Sequence, residues 1–109
     1  MIRTSLTLAK AVAAALPLAL CLPALAQDSA ALRTRALAST CANCHGTAGR
    51  AVDGASVPGL AGLPAGYLVE QMKAFKGGTR PATVMHQLAK GYNDAQIDQL
   101  AAYFAAQKK

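Results

Sequence analysis

Tryptophan is absent from this 109-residue chain, and three tyrosines and two phenylalanines are its only aromatics. So few large rings leave a thin core, which a chain of this size usually reinforces with a metal, a disulfide or a cofactor. Acidic residues are also scarce, five Asp and Glu against eleven Lys and Arg. Once the candidate ligands below are set aside, only scattered carboxylates remain, and no acid/base pair can be assigned for catalysis. Strand-like runs alternating with helical ones are lacking, which excludes a βαβ redox setting. There is no aromatic stacking platform and the cations are dispersed, so nucleic acid is not an expected partner.

The N-terminal stretch reads as a secretory leader. Arg3 and Lys10 supply positive charge, Ala11 to Leu22 an apolar run, and Ala24-Leu25-Ala26 a small-residue cleavage site. Pro17 and Pro23 interrupt the apolar run, which is too short for a membrane span, so no stable insertion is expected after cleavage. The expected division is therefore a cleaved leader at 1–26 and one domain at 27–109, exported to the periplasm. Cys21 departs with the leader; bulky Leu20 before it does not suit lipid attachment. Losing Arg3 and Lys10 leaves nine basic against five acidic residues, a net charge of +4. Such mild positive charge suits docking to an acidic protein, or simply a solvated surface.

What remains of the cysteine complement is concentrated in one pentapeptide, Cys41-Ala42-Asn43-Cys44-His45. Two thiols three positions apart, followed at once by a histidine, are the pattern for covalent attachment of a c-type haem. The thiols span one helical turn and can add to the two vinyl groups of one haem. That tether places the His45 imidazole under the iron, with little further chain entropy to lose. A thioredoxin-type centre would need the missing βαβ context. Zinc could nominally use Cys41, Cys44, His45 and His86, but Cys44 and His45 are neighbours that cannot easily converge on one small ion.

Around this motif the chain reads as helices and one loop. Asp28 or Ser29 can cap a first helix running to the cysteines, with Leu32, Ala36 and Ser39 on one face. Five glycines and two prolines between Gly46 and Pro64 mark a long loop, a feature expected to wrap a ligand. Within it Pro58 offers a rigid carbonyl to a haem histidine, or is simply a turn residue. A second helix opens at Pro64 or Ala65 and ends at Gly77-Gly78, with Tyr67, Leu68, Met72 and Phe75 in one stripe. Met72 there suits packing. Between Gly78 and Gly91, Pro81 suits the first turn of a brief helix. Met85 in this segment is the favoured sixth ligand, and adjacent His86 is the alternative. Asn93 with Gln96 forms a capping box for a last helix striped by Ile97, Leu100, Ala101 and Phe104. Phe104 or Tyr103 is placed to press on the first helix.

With these pieces in view, the chain from Gln27 to Lys109 resembles class I cytochromes c. The likeness rests on CANCHG from Cys41, VPGLAG from Val57, YLVEQMKAFKGGTRP from Tyr67, VM at Val84-Met85 and AKGYNDAQIDQLAAYFA from Ala89. It is nearer to single domains of bacterial periplasmic dihaem cytochromes c and to the cytochrome subunit of flavocytochrome c sulfide dehydrogenase. The resemblance implies an all-α fold of short helices and a long loop around one covalently attached haem c. It also implies thioethers at Cys41 and Cys44, axial ligands His45 and Met85, and the Pro58 carbonyl accepting from His45. Two departures stand out: the first helix lacks the glycine often found at the terminal-helix crossing, where Ala36 would serve, and His86 replaces a residue that is usually small.

One-electron transfer is the function these features imply, with no bond of a substrate made at the haem. A haem subunit taking electrons from a sulfide-oxidising flavoprotein is the leading form. A freely diffusing carrier to a terminal oxidase or peroxidase comes next, and a gas-binding haem sensor would need an open sixth site. Lys73, Lys76, Arg80 and Lys90 are the expected ring of cations around an exposed haem edge.

Overall fold

The computed structural model describes residues 29–109; the leader, its cleavage site and Cys21 lie outside the described residues. Helix α1 covers 29–39, α2 Ala42–His45, α3 Ala65–Gly77, α4 Met85–Leu88 and α5 Asp94–Ala105. Short 3-10 turns at Thr47–Gly49 and Ala89–Gly91 follow α2 and α4. No strand occurs among the described residues. Residues 34–109 form one compact unit, and the packing described below is within it.

Helix α5 is the best-specified element. Asn93 Oδ1 accepts from Gln96 N at 2.9 Å while Gln96 Oε1 accepts from Asn93 N at 3.0 Å, so two otherwise orphaned N–H groups are satisfied reciprocally. Its stripe is buried throughout, with Ile97 at 0%, Ala101 at 3%, and Leu100 and Phe104 at 4% exposure. Each of the larger side chains contributes about 1.5–3 kcal/mol through burial. Helix α3 packs on both α5 and α4. Gly78 at φ +80° ends α3, with Gly78 N donating to Phe75 O and Thr79 N to Ala74 O, a left-handed stop that a side chain would strain.

The core joins Ala38, Leu68, Leu100, Ala101 and Phe104, and the partly buried Leu37, Cys41 and Tyr103 pack against it. This corrects the expected face of α1. Ala36 and Ser39 are exposed, and Ala38 is the small residue in the core beside Phe104. The inward positions Thr34, Leu37, Ala38 and Cys41 follow helical spacing, so the face that packs is the one that delivers Cys41. Tyr103 meets Phe104 edge-on with centroids 5.1 Å apart.

Between α2 and α3 the loop is tied down at Gly49. Its carbonyl accepts from Leu60 N (2.7 Å) and Ala61 N (3.1 Å), and a Cβ there would lie 2.8 Å from Phe104 Cδ1 and 2.9 Å from Ala61 N. Gly62 N donates to Phe104 O at 2.9 Å and Arg50 Nε to Lys108 O at 2.7 Å, joining the loop to the end of α5 and the chain beyond. The segment before α4 differs from expectation: Pro81 precedes a helix that begins only at Met85. Residues 79–84 run as a non-helical strap, in keeping with the extended bias that a proline imposes on the residue before it.

Candidate functional site

One cavity of about 410 Å³ lies between the elements that the sequence singled out. Its volume is in the range of about 300–1,000 Å³ found for small-molecule and cofactor sites. Cys41, Cys44 and His45 line one part of it, Val57 to Leu60 another, Tyr67, Leu68, Gln71, Met72 and Phe75 of α3 a third. The strap and α4 supply Arg80, Ala82, Thr83, Val84, Met85 and Leu88, and α5 closes the floor with Leu100, Ala101 and Phe104.

Local geometry explains how the pentapeptide reaches this cavity. The chain turns after α1, with Cys41 N donating to Ala38 O (3.1 Å), and His45 N then donates to Cys41 O (3.0 Å). That one-turn bond sets Cys41 and His45 on the same side of α2. Gly46 at φ +84° reverses the chain directly afterwards, and a Cβ there would lie 1.9 Å from Arg50 O. The turn demands glycine.

His45 Nδ1 lies 2.6 Å from the Pro58 carbonyl oxygen. A carbonyl can only accept, so Nδ1 carries the proton and Nε2 is the nitrogen left with a lone pair for a metal. Neither cysteine is in a disulfide, and Cys44 is exposed while Cys41 is half-buried. Burial pushes the Cys41 thiol up from its ordinary value, and the Thr40 hydroxyl 3.9 Å from its sulfur pulls in the opposite direction.

Two methionines, Met72 and Met85, line the cavity, and His86 does not. His86 Nδ1 is buried with no hydrogen-bond partner. Among the described residues no three His, Cys, Asp or Glu side chains gather as a metal site, so the zinc alternative finds no cluster. Two of the four cations expected at the haem edge have an acidic partner within the chain. Lys76 Nζ donates to Asp94 Oδ1 (3.2 Å) and Tyr92 O (2.8 Å), and Lys73 Nζ lies 3.9 Å from Asp94 Oδ2. Of the four named cations only Arg80 lies in the cavity wall.

Some wall contacts had no signal in the sequence. Thr40 and Tyr92 hydroxyls meet at 2.8 Å across 52 positions of chain, and both residues line the cavity. Gln71 could have been found: it sits one turn before Phe75 on the α3 stripe, and its Oε1 accepts from Arg80 Nη1.

The set of donors fits a covalently attached haem. Two thiols stand one turn apart, one imidazole has its far nitrogen free, two thioethers line the cavity, and most of the remaining wall is apolar. The family model for cytochrome c matches residues 31–108. This chain belongs to the cytochrome c family. It carries one covalently attached haem c and works in haem-based electron transfer.

Two of the proteins it resembles are named for dehydrogenases of sulfur compounds. It is 41% identical over 71 residues to the thiosulfate dehydrogenase electron acceptor of Thiomonas intermedia, covering 65% of this chain and 33% of that protein. It is 38% identical over 72 residues to the cytochrome subunit of sulfide dehydrogenase of Chlorobaculum tepidum, covering 66% of this chain and 64% of that one. A solved structure of Acidithiobacillus ferrooxidans cytochrome c4 superposes with a TM-score of 0.57 at 39% identity, covering 61% of this chain and 37% of the other. The chain spans about a third of the length of several curated relatives it matches. Among the described residues no helix is long and apolar enough to cross a membrane.

Proposed function

We propose that this cytochrome is a periplasmic one-electron relay whose haem is joined to Cys41 and Cys44, with His45 and Met85 as axial ligands, and which accepts electrons from a sulfur-compound dehydrogenase. The observation that carries the site is the bond between His45 Nδ1 and the Pro58 carbonyl at 2.6 Å. It fixes the ring orientation and tautomer and makes Nε2 a stronger donor to iron. The bound haem supplies the one-electron couple. Every other contribution is the chain's own. The two cysteines hold the group irreversibly, and the Met85 thioether favours the reduced state relative to a second histidine. The apolar wall from Leu68, Leu100, Ala101 and Phe104 keeps water from the ring. With His45 and Met85 both holding the iron, little would need to rearrange on reduction, and among the described residues no side chain in the cavity wall is placed to transfer a proton to a substrate.

The identity of the donor rests on the relatives. One is named as the cytochrome subunit of sulfide dehydrogenase and another as an electron acceptor of thiosulfate dehydrogenase. Our preferred donor is a flavoprotein that oxidises sulfide. The experiment mixes the oxidised holoprotein with that flavoprotein and sulfide and follows haem reduction. Rapid reduction that needs both components supports the assignment. Equal reduction by unrelated donors points instead to a freely diffusing carrier, and prompt carbon monoxide binding by the reduced protein at neutral pH contradicts Met85 as a firm ligand.

A further inference from the structure

A second cleft, of about 280 Å³, lies between the loop and the residues that follow α5. It is smaller than the range of about 300–1,000 Å³ usual for cofactors, and suits a side chain or two of another protein. Arg50 and Lys109 line it together with the apolar Ala51, Ala61 and Leu63. Both cations are held in place. Arg50 Nε donates to Lys108 O at 2.7 Å, which leaves the two terminal nitrogens of the guanidinium as donors. A Cβ on Gly62 would lie 3.1 Å from Lys109 Cγ and 3.3 Å from its Cε, so the lysine stem is laid along the bare face of that glycine. Neither cation has a carboxylate partner among the described residues, where both ion pairs fall on Asp94. Lys108 beside them is exposed and equally unpaired. Against these three charges, the loop from Gly46 to Pro64 carries one carboxylate, Asp53. Val52, next to Ala51, is 78% exposed, more than any other large apolar side chain described.

We infer that this cleft is a docking seat for an acidic segment of a redox protein partner, with a partner carboxylate between Arg50 and Lys109 and an apolar neighbour over Val52. Protein interfaces combine an apolar middle with a polar rim, and favour arginine. Charge complementarity selects the partner. Unpaired cations draw carboxylates from about one Debye length away, about 10 Å at 0.1 M salt, and speed the encounter. The seat also adjoins the haem site. Gly59 and Leu63 line both this cleft and the larger cavity, and Gly59 follows Pro58, whose carbonyl meets His45 Nδ1. A protein bound here approaches through the loop that holds His45, and the strap of residues 79–84 contributes nothing to the cleft. The redox role of the seat rests on the haem site proposed above; the seat itself rests on the cleft and its cations.

The test uses purified holoprotein, whose absorption spectrum first establishes attached haem. A hexapeptide alternating glutamate with leucine is the probe, and the same peptide with glutamine in place of glutamate is the control. Amide resonances of the reduced protein are followed by nuclear magnetic resonance as each peptide is added. Shifts at Ala51, Gly59, Leu63 and Lys109 that saturate with the glutamate peptide alone, and fade as salt is added, support the seat. The double substitution Arg50→Gln and Lys109→Gln should weaken this binding roughly tenfold, the scale for losing two exposed charge pairs. Reduction of the oxidised haem by flavodoxin, an acidic one-electron flavoprotein, should slow by a similar factor at low salt, and Lys90→Gln, outside the cleft, should slow it less. Shifts confined to the strap and α4, or equal reduction rates in the double variant and the unmodified protein, would overturn the inference. Binding of phosphatidylglycerol vesicles through Arg50 and Lys109, with no response to the peptide, would overturn it in favour of a lipid surface. If the double variant does not assemble, the peptide titration of the unmodified protein decides. Absence of attached haem would instead overturn the haem site and the redox role with it, and the first spectrum reads that separately.

Discussion

The two sides of the cavity are built differently. On the α5 side, Ile97, Leu100, Ala101 and Phe104 are between 0% and 4% exposed, and the chain supplies every contact that hides them. On the strap and α4 side, Val84 and Leu88 are 54% and 52% exposed, and Tyr67 across from them on α3 is 46% exposed, though all three line the cavity. A soluble protein tolerates single exposed apolar residues, but several converging on one cavity mark surface awaiting a partner. The α5 side is a core in its own right. The strap side becomes one only when an apolar ring lies against it.

The largest effect should come from removing the tether. The double substitution Cys41→Ala and Cys44→Ala abolishes covalent haem, leaving α4 and the strap without their packing partner; far-ultraviolet circular dichroism should show loss of part of the helix, and thermal melting should lose its sharpness as the strap side comes apart ahead of the α5 side. Retention of a sharp transition would mean that the strap side completes its core alone.

A smaller effect separates the two sides directly. Ile97→Ala, at a site with no exposure at all, is expected to cost about 2–5 kcal/mol in denaturant unfolding of the holoprotein. Leu88→Ala should cost well under that, and its cost should depend on haem, since half of this side chain is open until a ring covers it. Equal costs for the two would erase the distinction.

The smallest effect lies at the start of α5. Asn93→Ala removes one half of the capping box and should lower stability by about 1 kcal/mol while leaving the haem spectrum and the potential unchanged. A change in the spectrum would show that the α5 side is less independent of the cavity than its burial suggests.

The same contrast governs what could be read in advance. Helix α5 was legible because its signals are local: a cap, its partner three residues on, and an apolar stripe at helical spacing. The pentapeptide was legible for the same reason. Helix α1 was legible as a helix but its inward face was not, because a run of alanines gives little hydrophobic contrast between faces, and Ala38 in place of Ala36 is decided by where Cys41 must point. Pro81 suggested a helix start by local preference, yet the strap runs on to Met85 with Arg80 stacked on Phe75, a contact with another element. The pairing of Lys73 and Lys76 with Asp94 likewise depends on α3 meeting α5, which no local pattern announces. Gly49 appeared as one glycine among several in a loop, and only the approach of Phe104 and Ala61 gives it a particular duty.

On the strap side the proposed ligand is Met85, and its ligation is the most direct test of the account. The near-infrared sulfur-to-iron band of the oxidised holoprotein is measured in the unmodified protein, in Met85→Ala and in His86→Ala. The account predicts the band in the unmodified protein and in His86→Ala, and its loss in Met85→Ala. A band that survives in Met85→Ala would move the ligand to another thioether such as Met72, and its absence from the unmodified protein would contradict thioether ligation altogether.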